Sequence, residues 1–169
     1  EVDLPGDVID ELYAERQVPV ERIAPFTVDP DDEDAAPLEF AANQYLILRD
    51  ATDPSHTGLA RLLSDTDHFI PVAGPRRPIH GVMARNVQQV MAMDLLLDDD
   101  VKLVTLLGVA GSGKTLLAMA AGMHKVYKES RFDKLLVARP IMPLGRDIGY
   151  LPGDKDEKPV SALPERVKP

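Results

Sequence analysis

Gly108-Val109-Ala110-Gly111-Ser112-Gly113-Lys114-Thr115 is the stretch on which the reading of this 169-residue chain turns. A glycine, four residues and then Gly-Lys-Thr is the spacing of a phosphate-binding P-loop. Each part has a physical role. Gly108, Gly111 and Gly113 open backbone angles closed to other residues and let the main chain come close to phosphate. The N–H groups of residues 110–115 then converge as an anion nest, and the following helix adds its positive end. Lys114 would neutralise the β- and γ-phosphates, and the Thr115 hydroxyl would ligate magnesium. Val109, Ala110, Ser112 and Leu116 complete the candidate nucleotide-binding run, with ATP and Mg2+ as the expected ligands.

The flanks fit this reading. Val101–Leu107 is apolar except for Lys102 and Thr105, as expected of a strand buried on both faces of a parallel sheet. Lys114–Lys128 is rich in alanine and leucine and carries basic residues in its last turn, which predicts a helix. Lys134–Arg139 reads as a second buried strand. The expectation is one βαβ unit of an α/β P-loop fold, with an incomplete parallel sheet. Arg139 would lie at the carboxyl end of its strand, on the edge where such sheets bind ligands, and is a candidate for phosphate or RNA contact.

Upstream, Asn86–Leu97 is predicted helical, with Val87, Val90, Met91 and Leu95 on one face, stopped by Asp98-Asp99-Asp100. Asn86 and Gln89 stand about 20 residues before the P-loop. In superfamily 1 helicases a similar Asn-x-x-Gln pair lets the glutamine read adenine. An amide suits that role because it both donates and accepts. Gln89 is the candidate and Gln88 the fallback.

The N-terminal part differs in character. Residues 1–70 hold 17 acidic and 4 basic residues, and the remainder 11 acidic and 15 basic. A polyanion should therefore meet the rear of the chain. Asp7 is the expected N-cap of a short helix through Tyr13, ended by Pro19. Gln44–Arg49, Leu59–Leu63 and His68–Val72 read as three short strands of an antiparallel meander. Ala73–Pro78 is a linker, and the domain boundary is placed near residue 80: a small β-rich module over 1–80, then 81–169. The acidic Thr27–Pro37 loop loosely resembles a calcium loop, but Asp34 stands where the sharp turn needs glycine, so a solvated linker is expected. The four histidines show no metal-ligand spacing and are expected to be structural or exposed. Arg76, Arg77 and Arg85 could touch RNA backbone, but solvated linker charge is the expectation. The chain has no cysteine, no apolar run approaching a membrane span and no signal-like start, so a cytoplasmic protein is expected.

Hydrolysis also needs an acidic residue at the end of another strand. Downstream of Lys114 no apolar run ends in one, and the final 30 residues hold six prolines.

Residues 84–158 resemble the PhoH-like ATPase family. The resemblance rests on Ala84-Arg85-Asn86 with Gln89, Leu95–Asp98, Val104–Leu106 leading into the P-loop, Leu117-Ala118 with Ala120–Gly122, and above all Arg139–Ile141, Pro143–Gly145, Asp147–Asp154 and Glu157-Lys158. Residues 1–80 resemble the segment joining the two domains of fused PIN–PhoH proteins, notably Asn43–Tyr45 and Pro54–Thr57. This resemblance implies a RecA-like fold related to superfamily 1 helicases, ATP hydrolysis, RNA unwinding coupled to a PIN ribonuclease, and a hexameric ring. Pro159–Pro169 departs from the family pattern, and neither its Asp-Glu motif nor a PIN domain is found, which implies a fragment that would not hydrolyse ATP alone. A P-loop kinase is the alternative enzyme, and a non-catalytic nucleotide-binding or oligomerisation module the alternative to catalysis. A GTPase is excluded because neither Asn43 nor Asn86 opens a guanine motif.

Overall fold

The structure, a computed structural model, describes residues 1–28 and 38–138. Residues 1–135 form one compact unit. A second unit begins at Leu136, and its described residues, 136–138, are irregular.

The chain opens with β1 (Val2–Leu4), α1 (Gly6–Glu15), β2 (Val18–Pro19), the single turn α2 (Val20–Ile23) and a 3-10 turn at Ala24–Thr27. The meander follows as β3 (Tyr45–Asp50), β4 (Thr57–Leu62) and β5 (His68–Pro71). Two helices complete the described elements, α3 (Val87–Leu97) and α4 (Lys114–Tyr127).

One five-stranded sheet has the order β1-β3-β4-β5-β2. The three meander strands pair antiparallel, as their alternation and turns predict. The two outer strands were not legible in the sequence. β1 pairs parallel to β3, with Val2 opposite Leu48, and β2 pairs antiparallel to β5. Each is three residues or fewer, too short for periodicity to reveal.

β3 alternates strictly, with Leu46, Leu48 and Asp50 buried and Tyr45, Ile47 and Arg49 half-buried on the other face. Leu46 and Leu48 enter a core with Val2, Leu4, Val8, Ile9, Leu12, Val18, Ile23, Ala60, Leu62 and Phe69. Each large side chain buried there contributes about 1.5–3 kcal/mol. Phe40 meets Phe69 edge-on at 5.1 Å. α1 lies over this core and buries Val8, Ile9 and Leu12. Asp7 is not its cap. The helix begins two residues earlier than that cap implies, with Pro5 at the cap position and Asp7 in the first turn, where its carboxylate still meets the positive helix end. Arg16 ends the helix in a left-handed conformation, before Pro19 is reached.

α3 and α4 share a second cluster of Ile79, Met93, Leu117, Ala120 and Ala121. Both helices match their sequence patterns to within a residue or two. The expected parallel strands do not form. Residues 101–107 and 134–138 are irregular, and Leu103 and Leu107 are 85% and 90% exposed. A strand exists only through its ladder partners, and among the described residues neither run has any. The sheet that does form is mixed and belongs to the N-terminal part of the chain. Among the described residues, no helix is long and apolar enough to cross a membrane. The acidic loop at 29–37 lies outside the described residues.

Candidate nucleotide site

The P-loop sits between residues 101–107 and α4, as its spacing requires. Gly113 is the N-cap of α4 with φ +91°, and Gly111 has φ +80°. Both lie in the left-handed region that side chains disfavour, so these two positions need glycine. α4 then starts at Lys114, and Leu117 N–H donates to Gly113 O at 2.9 Å.

Lys114 turns back over the loop. Its Nζ donates to the carbonyl oxygens of Gly108 (2.8 Å) and Val109 (2.7 Å), and to Ser112 Oγ (3.2 Å). The ammonium therefore stands inside the curve of the loop. Thr115 follows on the exposed first turn of α4. Its hydroxyl is a hard oxygen donor of the kind magnesium takes.

α3 reaches the loop through Gln89. Its Nε2 donates to Ser112 O at 3.2 Å, while its Oε1 accepts from Arg85 N–H at 2.8 Å. Asn86 caps α3 by accepting from Gln89 N–H at 2.9 Å. The Asn-x-x-Gln spacing thus has a local cause. Asn86 starts the helix, and Gln89, one turn on, is aimed at the loop. Both amide atoms of Gln89 are engaged in these contacts.

A cavity of about 510 Å3 lies where these parts meet. Asn86, Gln88, Gln89, Met91, Ala92 and Leu95 form its α3 side; Thr105–Val109, Ser112, Lys114 and Leu117 form the loop side. Tyr45, from β3, forms a further wall. The structure therefore brings together Asn86, Gln88, Gln89, Gly108, Val109, Ser112 and Lys114. Ala110, Gly111, Gly113, Thr115 and Leu116 continue the same loop and helix start without lining the cavity. Arg139 lies outside the described residues.

Tyr45 was not among the sequence candidates. Its signal was an aromatic side chain on the face of β3 opposite the core. Its hydroxyl donates to Asp94 Oδ2 at 2.6 Å and lies 3.1 Å from Met91 O. Burial and the Asp94 carboxylate together push the phenol well above its usual range, so it stays protonated.

Next to Tyr45, Arg61 of β4 is buried and binds the same helix. Its Nη2 meets Asp98 at 2.6 Å, Nη1 meets Asn43 Oδ1 at 3.3 Å, and Nε lies 3.2 Å from Asp94 without hydrogen-bond alignment. Burial alone would lower the guanidinium, but Asp98 and Asp94 outweigh it and raise it. Burial acts to raise Asp98, yet the Arg61 hydrogen bond holds it below the usual carboxylate range. Asp99, just beyond, pairs with Lys125 at 2.9 Å and with Arg131. The acidic run that stops α3 is thereby tied to both the sheet and α4.

Two of the four histidines make local ion-pair contacts. His56 lies between Asp50 (3.1 Å) and Asp10 (3.5 Å), and His124 meets Glu129 at 3.3 Å. Among the described residues, no group of three potential ligands is placed to hold a metal. Arg76, Arg77 and Arg85 are exposed.

Residues 81–164 match the PhoH-like protein family. The chain is 45% identical over 129 residues to Protein PhoH2 of Bacillus subtilis, covering 70% of this chain and 27% of that protein. It is 38% identical over 128 residues to Protein PhoH2 of Mycolicibacterium smegmatis, covering 69% and 29%. With Protein PhoH of Escherichia coli it shares 30% over 89 residues, 53% of this chain and 24% of that one. The chain thus spans 24% to 29% of the length of these relatives. No solved structure matches.

Proposed function

With residues 81–164 belonging to the PhoH-like family, whose members are in general ATP-binding, we propose that this chain supplies the nucleotide cradle of an ATPase. The observation that carries this is Lys114 held inside the P-loop curve, at the mouth of a cavity that continues along α3. ATP would enter with its phosphates on Gly108–Leu116, where Lys114 would exchange the carbonyls of Gly108 and Val109 for phosphate oxygens. Thr115 would hold magnesium, which supplies charge neutralisation at the phosphates. Gln89 would read adenine by giving up Ser112 O and Arg85 N–H for the base edge. Arg139 would add a positive charge at the phosphate or RNA side.

In the whole protein we propose ATP hydrolysis that drives RNA unwinding, coupled to a PIN ribonuclease, in a hexamer of the cytoplasm. The 1–80 module would connect the two domains, and 81–169 would begin the ATPase domain. The exposed Arg76, Arg77 and Arg85, in the more basic part of the chain, favour a polyanionic partner. A second reading applies to this chain by itself. Among the described residues no carboxylate lines the cavity, which favours nucleotide binding without hydrolysis.

Calorimetry with ATP and magnesium, followed by turnover assays of the full-length protein with and without single-stranded RNA, tests both. Lys114→Ala is expected to lose ATP binding with its thermal unfolding unchanged. Unaltered ATP affinity in that variant would overturn the cradle, and turnover unaffected by RNA would count against the RNA motor.

A further inference from the structure

We propose that Tyr45 builds the base-binding half of the nucleotide pocket, so that the N-terminal sheet contributes a wall to the site. The proposal rests on the reading of the P-loop as a nucleotide cradle. Three observations carry it.

Tyr45 lines the same cavity as Lys114 and Ser112. The loop side of that cavity carries backbone groups, Ser112 and the Lys114 ammonium beside the apolar Leu106, Leu107 and Leu117. The α3 side adds Met91, Ala92 and Leu95, and Tyr45 is the one aromatic residue among the lining residues described. A nucleotide carries phosphates at one end and a flat aromatic base at the other, and the lining holds both a cation and an aromatic ring. An aromatic side chain is a sequence-tolerant platform for a base, because every base has a π-face.

Tyr45 is also fixed in place. Its hydroxyl donates to Asp94 and sits against Met91 O, both on α3. The same Asp94 lies beside Arg61, which is anchored on Asp98. A ring held at both its backbone and its hydroxyl loses little freedom when a base arrives, which lowers the entropy cost of binding.

The third observation is position along α3. Gln89, which reaches the P-loop, and Asp94, which holds Tyr45, are five residues apart, about 7.5 Å of helix rise. A nucleoside bridging the loop and Tyr45 would lie along α3 and pass Gln89 on its way. The β3 strand then acts on the nucleotide directly, and the sheet is more than a spacer.

The test compares two ligands that share phosphates and differ in the base: ATP and inorganic tripolyphosphate, each with magnesium, titrated into the full-length protein. Tyr45→Ala is expected to weaken ATP by about 5- to 150-fold, the range of one aromatic–base stack. Tripolyphosphate affinity should stay within about twofold. Tyr45→Phe keeps the ring and should retain most of the preference for ATP. Equal loss of both ligands in Tyr45→Ala would show only a structural role, and unchanged ATP affinity would remove Tyr45 from the site. Either result overturns the proposal. Lys114→Ala serves as the separate control: it should weaken both ligands together. If it weakens neither, the cradle reading itself fails, whatever Tyr45 does.

Discussion

The guanidinium of Arg61 stands 2.6 Å from the carboxylate of Asp98, joining β4 to the C-terminal end of α3. Arg61 is nearly fully buried, so truncating it would leave Asp94 and Asp98 without their cation. Arg61→Ala should cost about 2–3 kcal/mol in urea unfolding, below the full cost of breaking a buried pair because the two carboxylates keep some solvent. A change under about 0.5 kcal/mol would place the pair among solvent-screened surface contacts.

Gln89 offers a prediction on selectivity. If its amide reads adenine, Gln89→Ala should weaken ATP roughly tenfold, the worth of one to two hydrogen bonds, and leave GTP within about twofold. Parallel loss of both nucleotides would assign Gln89 to holding Ser112 instead. Competition binding with the two triphosphates separates these outcomes.

Gly113 is constrained twice. Its φ of +91° disfavours any side chain, and an added Cβ would stand 3.2 Å from Gln89 Nε2. Gly113→Ala should destabilise the loop by about 1–2 kcal/mol from backbone strain alone. It should also loosen the Gln89–Ser112 bond and lower ATP affinity. Thermal unfolding and calorimetry read the two effects.

Asp50 predicts a pH dependence. The backbone N–H of Thr52, then its hydroxyl and His56, hold this carboxyl down to about 2, against about 4 when unfolded. A depressed folded value means that Asp50 stabilises the fold above the unfolded value, and that this contribution fades as pH falls from about 4 towards 2. The stability gap between the protein and Asp50→Asn should narrow as pH falls below 4. A gap that stays constant to pH 2 would contradict this.

What the sequence made legible was local. The apolar run at Gln44–Arg49 marked a strand, and the helical pattern from Asn86 marked α3. Gly108–Thr115 carried its own geometry because glycines and lysine act through near neighbours. The non-local part was not legible. Nothing in Val2–Leu4 says that it pairs with Leu48–Asp50 more than forty residues away. Arg61 and Asp98 look like two ordinary surface charges until the fold brings them together. Val101–Leu107 shows the converse: its composition is that of a central strand, but composition cannot supply the neighbouring strands that would pair with it.

The placement of Lys114 changes what nucleotide binding would consist of. Its ammonium holds two carbonyls and a hydroxyl of its own loop, so these oxygens would compete with any incoming phosphate for it. Phosphate would enter by substitution, taking over a cation that is already coordinated by its own loop.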